Sequence, residues 1–299
     1  MYFRTNGFII LSSVLLALVS TACSRATVAI TPTPAGPHEA PISLPYPGEP
    51  AQLGLVSTLP GMIRLAGYNS SDFVSGTVQV SNREWIPQTE TTGGRVSMVQ
   101  TAITEPVNSR DLTNLWKLRV GDSQPFRLEI HNGQAEGHWN LSGLPITDLY
   151  AELGEAKNAF TFDEPNPTVM QKCELHCETG EVVVEGILNA VCLRMVVEAG
   201  SGSLTLRFAG KEILQDLKAA IHAGTGTTSI TLSPDTPSRI TVAGGGHVIR
   251  GEGVIKLDSD GNNSVYETPS YSRRGTQSKT LEISISGGSG AIYLNRPPS

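Results

Sequence analysis

A glycine-centred pattern recurs along the chain at an interval of roughly 22 residues, which is typical of repeat architectures. Its central positions are Gly133, Gly154, Glu178, Gly200, Gly224, Gly245 and Gly288. The last interval is about twice as long as the others, and we interpret it as two repeats with one centre unrecognised. Each unit carries apolar residues that only a neighbouring unit can cover, so the pattern predicts a stacked β-solenoid.

Apolar residues occupy the same offsets from each centre. Three positions before it lie Ile130, Ala151, Leu175, Val197, Ile221, Val242 and Ile285. Five positions before it lie Leu128, Leu149, Cys173, Met195, Ala219, Ile240 and Ile283. Six positions after it lie Trp139, Phe160, Val184, Leu206, Ile230 and Leu294. Apolar and polar residues alternate around these positions, as in a strand with one buried face. We therefore predict an all-β fold of parallel stacked repeats, each made of a strand, a tight turn and a second strand.

Three of the predicted turns have the sequence Gly-x-Gly, at Gly200-Ser201-Gly202, Gly224-Thr225-Gly226 and Gly288-Ser289-Gly290. Such turns are expected to need positive φ angles, which glycine adopts at the lowest cost. Gly-x-Gly also occurs in nucleotide-binding loops, but there a helix follows and directs its N-terminus at the phosphate. Strands are predicted after the first two turns, at Leu204 to Phe208 and at Ser229 to Leu232, so phosphate binding is not expected.

Residues 1–22 have the features of an export signal peptide. Arg4 supplies a positive charge, an apolar core extends from Phe8 to Val19, and small residues precede Cys23. The core is shorter than the about 20 residues that a membrane-spanning helix needs. A cysteine after small residues resembles the bacterial lipobox, which implies acylation of Cys23 and attachment to a membrane. An ordinary cleaved signal peptide or an uncleaved signal anchor is the alternative.

Residues 23–60 combine the anchor cysteine with a proline-rich segment. Because proline favours extended backbone, we predict a tether that holds the folded part away from the membrane. The rest of the chain suffices for one elongated domain or two packed domains. The formal net charge is −6, and the sequence has no basic run with interleaved aromatic residues, so no nucleic-acid partner is expected.

Beyond this segment, the chain resembles the toast-rack domains of bacterial exported proteins. The resemblance depends on Trp85-Ile86-Pro87, on the repeated units and on the closing segment Leu281–Gly290. It implies an N-terminal toast-rack region over residues 61–125 and β-solenoid repeats over residues 126–299. The family includes adhesin-like proteins and LiaF-type proteins of the cell-wall stress response, so the resemblance also implies a location in the cell envelope. It supplies no catalytic residue.

One predicted outward-facing column combines imidazoles and carboxylates. Two positions before the first five centres lie His131, Glu152, His176, Glu198 and His222. In-register stacking would place neighbours about 5 Å apart at Cα, within reach of hydrogen bonding and ion pairing. Structural pairing is the first interpretation. The residue types also suit Zn²⁺ or Cu²⁺, and histidine titrates near neutral pH, so a weak metal site and a pH-dependent ladder are the alternatives. No cofactor is assigned.

Cys173 and Cys177 lie on either side of His176 in what resembles a metal or redox motif. Strand alternation places both cysteines on the core side and His176 on the opposite side. Residues four apart on a strand are about 13 Å apart, which is too far for a disulfide. We therefore predict two core cysteines. A bridge between Cys192 and Cys173 is the alternative in an oxidising compartment.

The sequence gives little support for catalysis. It contains no nucleophile elbow, zinc-protease motif or P-loop, and no carboxylate pair with a visible reason for a raised pKa. The insert over residues 250–279 contains Asp258-Ser259-Asp260-Gly261-Asn262, which resembles the start of a calcium loop. However, Asn263 and Pro269 occupy the positions where that loop needs glycine and glutamate. A turn or long loop is predicted instead.

Together these features favour a non-enzymatic, lipid-anchored protein of the cell envelope that presents a β-solenoid for scaffolding, adhesion or sensing. Its partner would be the membrane through the anchor, together with peptidoglycan, another polysaccharide or another envelope protein. A LiaF-like regulator of the envelope stress response is the alternative, although those regulators carry several transmembrane helices and none is evident here. A carbohydrate-active β-helix enzyme is the third possibility.

Overall fold

The computed structural model describes residues 37–101, 112–210, 212–233, 235–244, 247–259, 263–276 and 278–295. All of them belong to one compact unit, residues 36–299. The predicted signal peptide, the predicted acylation site Cys23 and the beginning of the predicted tether lie outside the described residues.

The described chain is almost entirely β structure. The first strands are β1 (His38–Pro45), β2 (Ala51–Ser57), β3 (Gly61–Tyr68), β4 (Asp72–Val80), β5 (Gln88–Thr92), β6 (Arg95–Gln100) and β7 (Asn114–Gly121). The central strands are β8 (Phe126–Asn132), β9 (Ala135–Asn140), β10 (Ile146–Leu153), β11 (Asn158–Thr161), β12 (Met170–Cys177), β13 (Glu181–Glu185), β14 (Cys192–Ala199), β15 (Ser203–Phe208), β16 (Leu217–His222) and β17 (Thr227–Leu232). The last strands are β18 (Ser238–Ala243), β19 (His247–Arg250), β20 (Ile255–Ser259), β21 (Asn263–Glu267), β22 (Leu281–Ser286) and β23 (Ala291–Leu294).

Helical structure is limited to short connecting segments in the described part of the chain. Two 3₁₀ turns cover Arg83–Trp85 and Ile187–Ala190, and a single α-helical turn, α1, covers Pro269–Arg273. Residues 212–217 form no helix.

The strands form two sheets. Sheet A has eleven strands in the order β1-β4-β7-β3-β9-β11-β13-β15-β17-β23-β19. Sheet B has twelve strands in the order β20-β21-β18-β22-β16-β14-β12-β10-β8-β2-β6-β5. Each repeat contributes one strand to sheet B, a tight turn and one strand to sheet A, and we call this unit a rung. The predicted all-β solenoid is confirmed.

Neighbouring rungs pair in parallel and in register. Leu149 lies opposite Leu128, and Ala151 lies opposite Ile130. Residues at the predicted core offsets are buried, and most are less than 5% exposed. The third predicted column is also present, since Phe160 pairs with its equivalents on both sides. Equivalent apolar side chains therefore stack in columns between the sheets, and each rung covers the core of the next.

At both ends, the order of the rungs differs from the order of the chain. The rung β2–β3 lies between β6–β7 and β8–β9. At the other end, β22–β23 lies between β16–β17 and β18–β19. The long final interval in the repeat is therefore not two successive rungs with an unrecognised centre. The chain passes over one rung position, builds the next, and returns to fill the gap.

Antiparallel strands extend the sheets beyond the outermost rungs. β4 and β1 continue sheet A, and β5 continues sheet B at the same end. At the opposite end, β21 and β20 add an antiparallel hairpin to sheet B. The insert over residues 250–279, predicted as a turn or long loop, thus contributes strands. The predicted regions 61–125 and 126–299 share both sheets, because β2 and β3 pair directly with β8 and β9.

The predicted tether over residues 23–60 is wrong from His38 onward. β1 forms an edge of sheet A, and β2 is an internal strand whose side chains Leu53 and Leu55 are almost fully buried. Two prolines, Pro41 and Pro45, are accommodated because an edge strand has unpaired N–H positions that a proline can occupy. The high proline content of this segment predicts a tether, whereas its alternating apolar residues indicate strands.

The turns at Gly200 and Gly224 need glycine, but not for positive φ. Neither residue has its φ in the left-handed region, whereas Gly288 does, with φ of 78°. A Cβ atom on Gly224 would overlap the carbonyl oxygen of Gly200 in the rung below. That same oxygen accepts a hydrogen bond from the backbone N–H of Thr225 at 3.0 Å. The turns stack so closely that a side chain at the centre would separate the rungs.

Candidate functional site

The predicted column of histidines and glutamates lies on the outward face of sheet B. Backbone register places Glu152 beside both His131 and His176. It places Glu198 beside both His176 and His222. The five side chains come from consecutive rungs, and they share one face because each strand turns the same offset outward. We call these five residues, with Glu129, Tyr150 and Glu174 on the neighbouring outward column, the ladder.

Each of the first two histidines lies between two carboxylates. The Nδ1 atom of His131 is 2.6 Å from Oε2 of Glu152, and its Nε2 atom is 2.9 Å from Oε1 of Glu129. His176 repeats the arrangement: Nδ1 is 2.9 Å from Oε2 of Glu198, and Nε2 is 3.2 Å from Oε1 of Glu174. In both cases, one carboxylate comes from the same strand and the other from the next rung.

Tyr150 connects the two histidines. Its ring centroid is 5.7 Å from that of His131 and 5.3 Å from that of His176. The Tyr150 hydroxyl donates a hydrogen bond to Glu152. This bond, with a smaller contribution from burial, raises the pKa of Tyr150 to about 12. The tyrosine therefore holds its proton and fixes the position of the glutamate between the imidazoles.

Gln52 and Arg95 hold Glu129 in place at the end of the ladder. The carboxylate accepts a hydrogen bond from Nε2 of Gln52 at 2.7 Å, and Nη1 of Arg95 lies 3.1 Å away. Burial acts to raise the pKa of Glu129, but the hydrogen bond to His131 and the charge of Arg95 outweigh it, so the pKa is lowered. Glu174 is similar, because its pKa is lowered mainly by the hydrogen bond from Lys172.

The contacts of His131 favour its charged form. A histidine can donate from both ring nitrogens only when it is protonated, and here each nitrogen faces a carboxylate oxygen. Burial acts to lower the pKa of His131, but the hydrogen bonds to Glu129 and Glu152 outweigh it, so the pKa is raised. The pKa of Glu152 is lowered, mainly by the hydrogen bonds from Tyr150 and His131. The predicted structural pairing is thus present at these residues.

His222 has a different neighbour on its far side. Its Nδ1 atom is 2.9 Å from the hydroxyl oxygen of Ser286. Ser286 occupies that position because β22, not β18, is the strand that pairs with β16. The ladder therefore ends with a neutral hydroxyl.

The geometry of the ladder does not form a metal centre. Within the described ranges, no group of three or more His, Cys, Asp or Glu side chains is placed to hold a metal ion. The column is linear, and the ring nitrogens of His131 and His176 are used in hydrogen bonds to carboxylates, whereas a zinc site needs a tetrahedral arrangement. In the calcium-like segment, Asp260 and Asn262 lie outside the described residues.

The cysteines behave as core residues. Cys173, Cys177 and Cys192 all have free thiols, so the alternative of a bridge between Cys173 and Cys192 is not present. Cys173 is buried, and burial raises its pKa well above the usual range. Burial also raises the pKa values of Cys177 and Cys192 to about 12. Thiols with such values are poor nucleophiles.

Sheet A also carries a basic groove, which the sequence did not predict. Register places Arg64 between Lys117 and His138, and Arg119 lies two residues beyond Lys117 on β7. These side chains line an open depression of about 490 Å³. Arg64 and Lys117 are far apart in the sequence, so no basic run announces the cluster. The alternation of inward and outward residues along β3 and β7 would have predicted this cluster only if the pairing of the two strands had been known.

Residues 57–169 match the family model described as "N-terminal domain of toast_rack, DUF2154". The toast-rack resemblance is confirmed. The match begins at the end of β2 and extends through β11. It therefore includes the contacts of His131 with Glu129 and Glu152. In the toast-rack region, as in the repeats that follow, each rung donates one strand to each sheet.

Two solved structures are similar to this chain at low sequence identity. One is a candidate cell adhesion protein from Clostridium sporogenes, with 16% identity and a TM-score of 0.43, covering 86% of this chain and 98% of that one. The other is a candidate adhesin from Bacteroides fragilis, with 10% identity and a TM-score of 0.37, covering 87% and 98% respectively. Comparison with curated proteins gives no match.

None of the helices in the described ranges has the length and apolar character required to cross a membrane.

Proposed function

We propose that this chain is a non-enzymatic, lipid-anchored protein of the cell envelope that presents its solenoid surface for adhesion, scaffolding or sensing. The observation that carries this proposal is the outward face of sheet B, where polar side chains from successive rungs form hydrogen-bonded groups along the ladder. Support also comes from the toast-rack match, whose family has exported members, and from the signal-like segment that precedes Cys23.

The ladder is suited to presentation because its side chains are fixed in place. His131 and His176 each have carboxylates at both nitrogens, and Tyr150 packs between the rings. A partner that binds such a surface meets groups already ordered by their neighbours. Binding therefore has a smaller entropic cost than it would on a surface of freely rotating side chains.

The same contacts disfavour acid–base catalysis by the ladder. A general acid needs a pKa near the working pH, which usually means a raised value for a carboxyl group. The pKa values of Glu129, Glu152 and Glu174 are lowered instead. These groups stay ionised at neutral pH and have no proton to donate.

A screen with soluble envelope glycans tests the non-enzymatic part of the proposal. We expect no turnover by the full-length protein. Hydrolysis that disappears in Glu152→Gln or Glu174→Gln, with an unchanged circular dichroism spectrum, would contradict it and support the carbohydrate-active alternative.

Crosslinking in intact cells tests presentation. A photoreactive residue is placed at Ala220, on the outward face of β16, or at Ala159, on the outward face of β11. We expect discrete products with an envelope component from at least one site, which excess purified protein competes away. Products that resist competition at both sites, or no product at either, would oppose the proposal.

Metabolic labelling with a palmitate analogue tests the anchor. The parent protein should take up the label, and Cys23→Ala should not. Label that persists in the variant would refute acylation at Cys23 and leave the presentation of the solenoid to be judged by crosslinking.

A further inference from the structure

The outward face of sheet A carries a concentration of positive charge in a chain whose formal net charge is −6. The side chains of Arg64, Lys117 and Arg119 are exposed and line the same open depression, together with half-buried His138. We call this depression the basic groove. Among the described residues that line it, none is Asp or Glu.

The cations of the basic groove lack acidic partners in the described part of the chain. Nε of Arg64 contacts only the sulfur of Met62, at 3.1 Å, and the Arg119 guanidinium lies 5.0 Å from the ring centroid of Tyr68. The nearest acids in register are already engaged: Glu136 with His138 at 3.1 Å, and Glu185 with Arg207. The three cations are therefore available to an external anion.

The outward face of sheet B provides a contrast. Its basic column includes Arg95 and Lys172, which pair with Glu129 and Glu174, and register places Asp148 between Arg127 and Lys172. Several of the basic side chains on that face thus lie beside carboxylates, whereas the described residues that line the basic groove include no Asp or Glu. This difference favours the groove as the anion-attracting surface.

The spacing of the cations indicates a repeating ligand. Lys117 and Arg64 lie on adjacent strands, so their Cα atoms are separated by about 4.8 Å across the sheet. Arg119 lies two residues beyond Lys117 on β7 and begins a second row of positive charge. Arginine forks match planar carboxylates in bidentate geometry. A single small anion would use one of these positions, whereas a polymer with an acidic group on each unit would use several.

An exposed aromatic ring lies beside the cations. Tyr68 follows Arg64 on the same face of β3, is 49% exposed and packs against Arg119. Aromatic rings beside polar groups commonly stack against the apolar face of a sugar. Inorganic polyphosphate has no apolar face that could stack against such a ring.

We propose that the basic groove binds an acidic polysaccharide, with uronate-type carboxylates at Arg64, Lys117 and Arg119 and a sugar ring against Tyr68. This inference rests on the proposed presenting function and specifies the chemistry of one of its partners. Since the contacts are between exposed charges, binding weakens as salt increases.

Polygalacturonate is the probe, with neutral dextran as its uncharged counterpart. The full-length protein is purified in non-ionic detergent and Kd is measured by calorimetry at several salt concentrations. We expect binding to polygalacturonate, none to dextran, and a Kd that rises steadily with salt. The triple variant Arg64→Gln, Lys117→Gln, Arg119→Gln should raise Kd at least tenfold.

A matched variant controls for net charge. Arg127→Gln, Arg194→Gln and Lys218→Gln remove the same charge from the outward face of sheet B and should change Kd by less than twofold. Equal losses in both triple variants, or equal binding of dextran, would overturn the inference. Tyr68→Ala should weaken polygalacturonate binding but leave any binding of inorganic polyphosphate unchanged. Tighter, groove-dependent binding of polyphosphate would instead assign the groove to phosphate polymers.

Crosslinking separates this inference from the proposed function. If the groove variant still yields the same competed products in cells as the parent, the presenting function stands and the polysaccharide site is wrong. If both the products and polygalacturonate binding are absent in the parent protein, both proposals fail.

Discussion

The Nδ1 atom of His131 lies 2.6 Å from the Oε2 atom of Glu152 on the next rung. Because the other ring nitrogen faces Glu129, this histidine has no neutral state in which both contacts are favourable. The hydrogen bond between His131 and Glu152 therefore joins two rungs, and it depends on the proton that charges the imidazole.

The first prediction concerns pH. The folded-state pKa of His131 is raised above 6.5, so its contribution is present below that value and lost as pH rises through the folded pKa. The pKa values of Glu129 and Glu152 are lowered below 4.5, so their contributions are present above that value and lost as pH falls through the folded pKa. The contacts stabilise most between about pH 4.5 and pH 6.5.

His131→Gln tests this pH dependence by urea unfolding. Its loss of unfolding free energy should be larger at pH 5.5 than at pH 8.5, by about 0.5–1 kcal/mol after allowance for solvent screening. His222→Gln is the control, because its Nδ1 atom contacts the neutral hydroxyl of Ser286. A pH-independent loss in His131→Gln would show that the imidazole is not held in its charged form.

The second prediction concerns the stacked turns. Gly224→Ala should destabilise the protein by about 1–3 kcal/mol or more, because the added Cβ overlaps the carbonyl oxygen of Gly200 and the rungs must separate. Gly275→Ala is the control, since its added Cβ would meet only the Ser278 hydroxyl oxygen, 3.9 Å away. Thermal unfolding followed by circular dichroism measures both. Equal stability of the two variants would contradict the close approach of the turns.

The third prediction concerns the thiols. In the Cys23→Ala chain, iodoacetamide should modify Cys173 and Cys192 very slowly in the native state, because both are buried and their thiolate forms are scarce. In urea without a reductant, both should react fully. Mass spectrometry counts the modified sites. Thiols that react in urea only after reduction would reveal a disulfide that the structure does not contain.

The fourth prediction concerns the rung β22–β23. Removal of residues 281–299 should expose the core side of β16 and β18 and unfold the C-terminal end, because β22 fills the space between those strands. Removal of residues 238–280 should preserve the rest of the stack, since β22–β23 would then follow β16–β17 directly. Hydrogen exchange distinguishes the outcomes. Greater loss of protection in the second deletion than in the first would contradict the observed rung order.

The sequence predicts the contents of each rung well and the order of the rungs poorly. The buried positions Leu175 and Val197 share an offset, and their register is as expected. The offset is the same in every rung, so any rung offers its neighbour a similar apolar surface, and the pattern cannot decide whether Ile240 or Ile283 lies beside Ala219. Pairing shows that it is Ile283.

The candidate sites divide in the same way. The contacts of His176 with Glu174 and Glu198 follow from strand period and repeat length alone, so the sequence could predict them. The basic groove forms because β3 lies beside β7. No repeat in the sequence predicts that these two strands pair. The partly buried strand His38–Pro45 was hidden by its prolines, which an edge strand tolerates.

At each end of the solenoid, the first or last rung in chain order lies one position inside the boundary: β2–β3 lies inside β6–β7, and β22–β23 lies inside β18–β19. Duplication of a central repeat would therefore lengthen the molecule without altering either terminus or its antiparallel edge strands. Over evolutionary time, the number of central rungs can therefore vary, and this number sets the distance between the two ends of the solenoid.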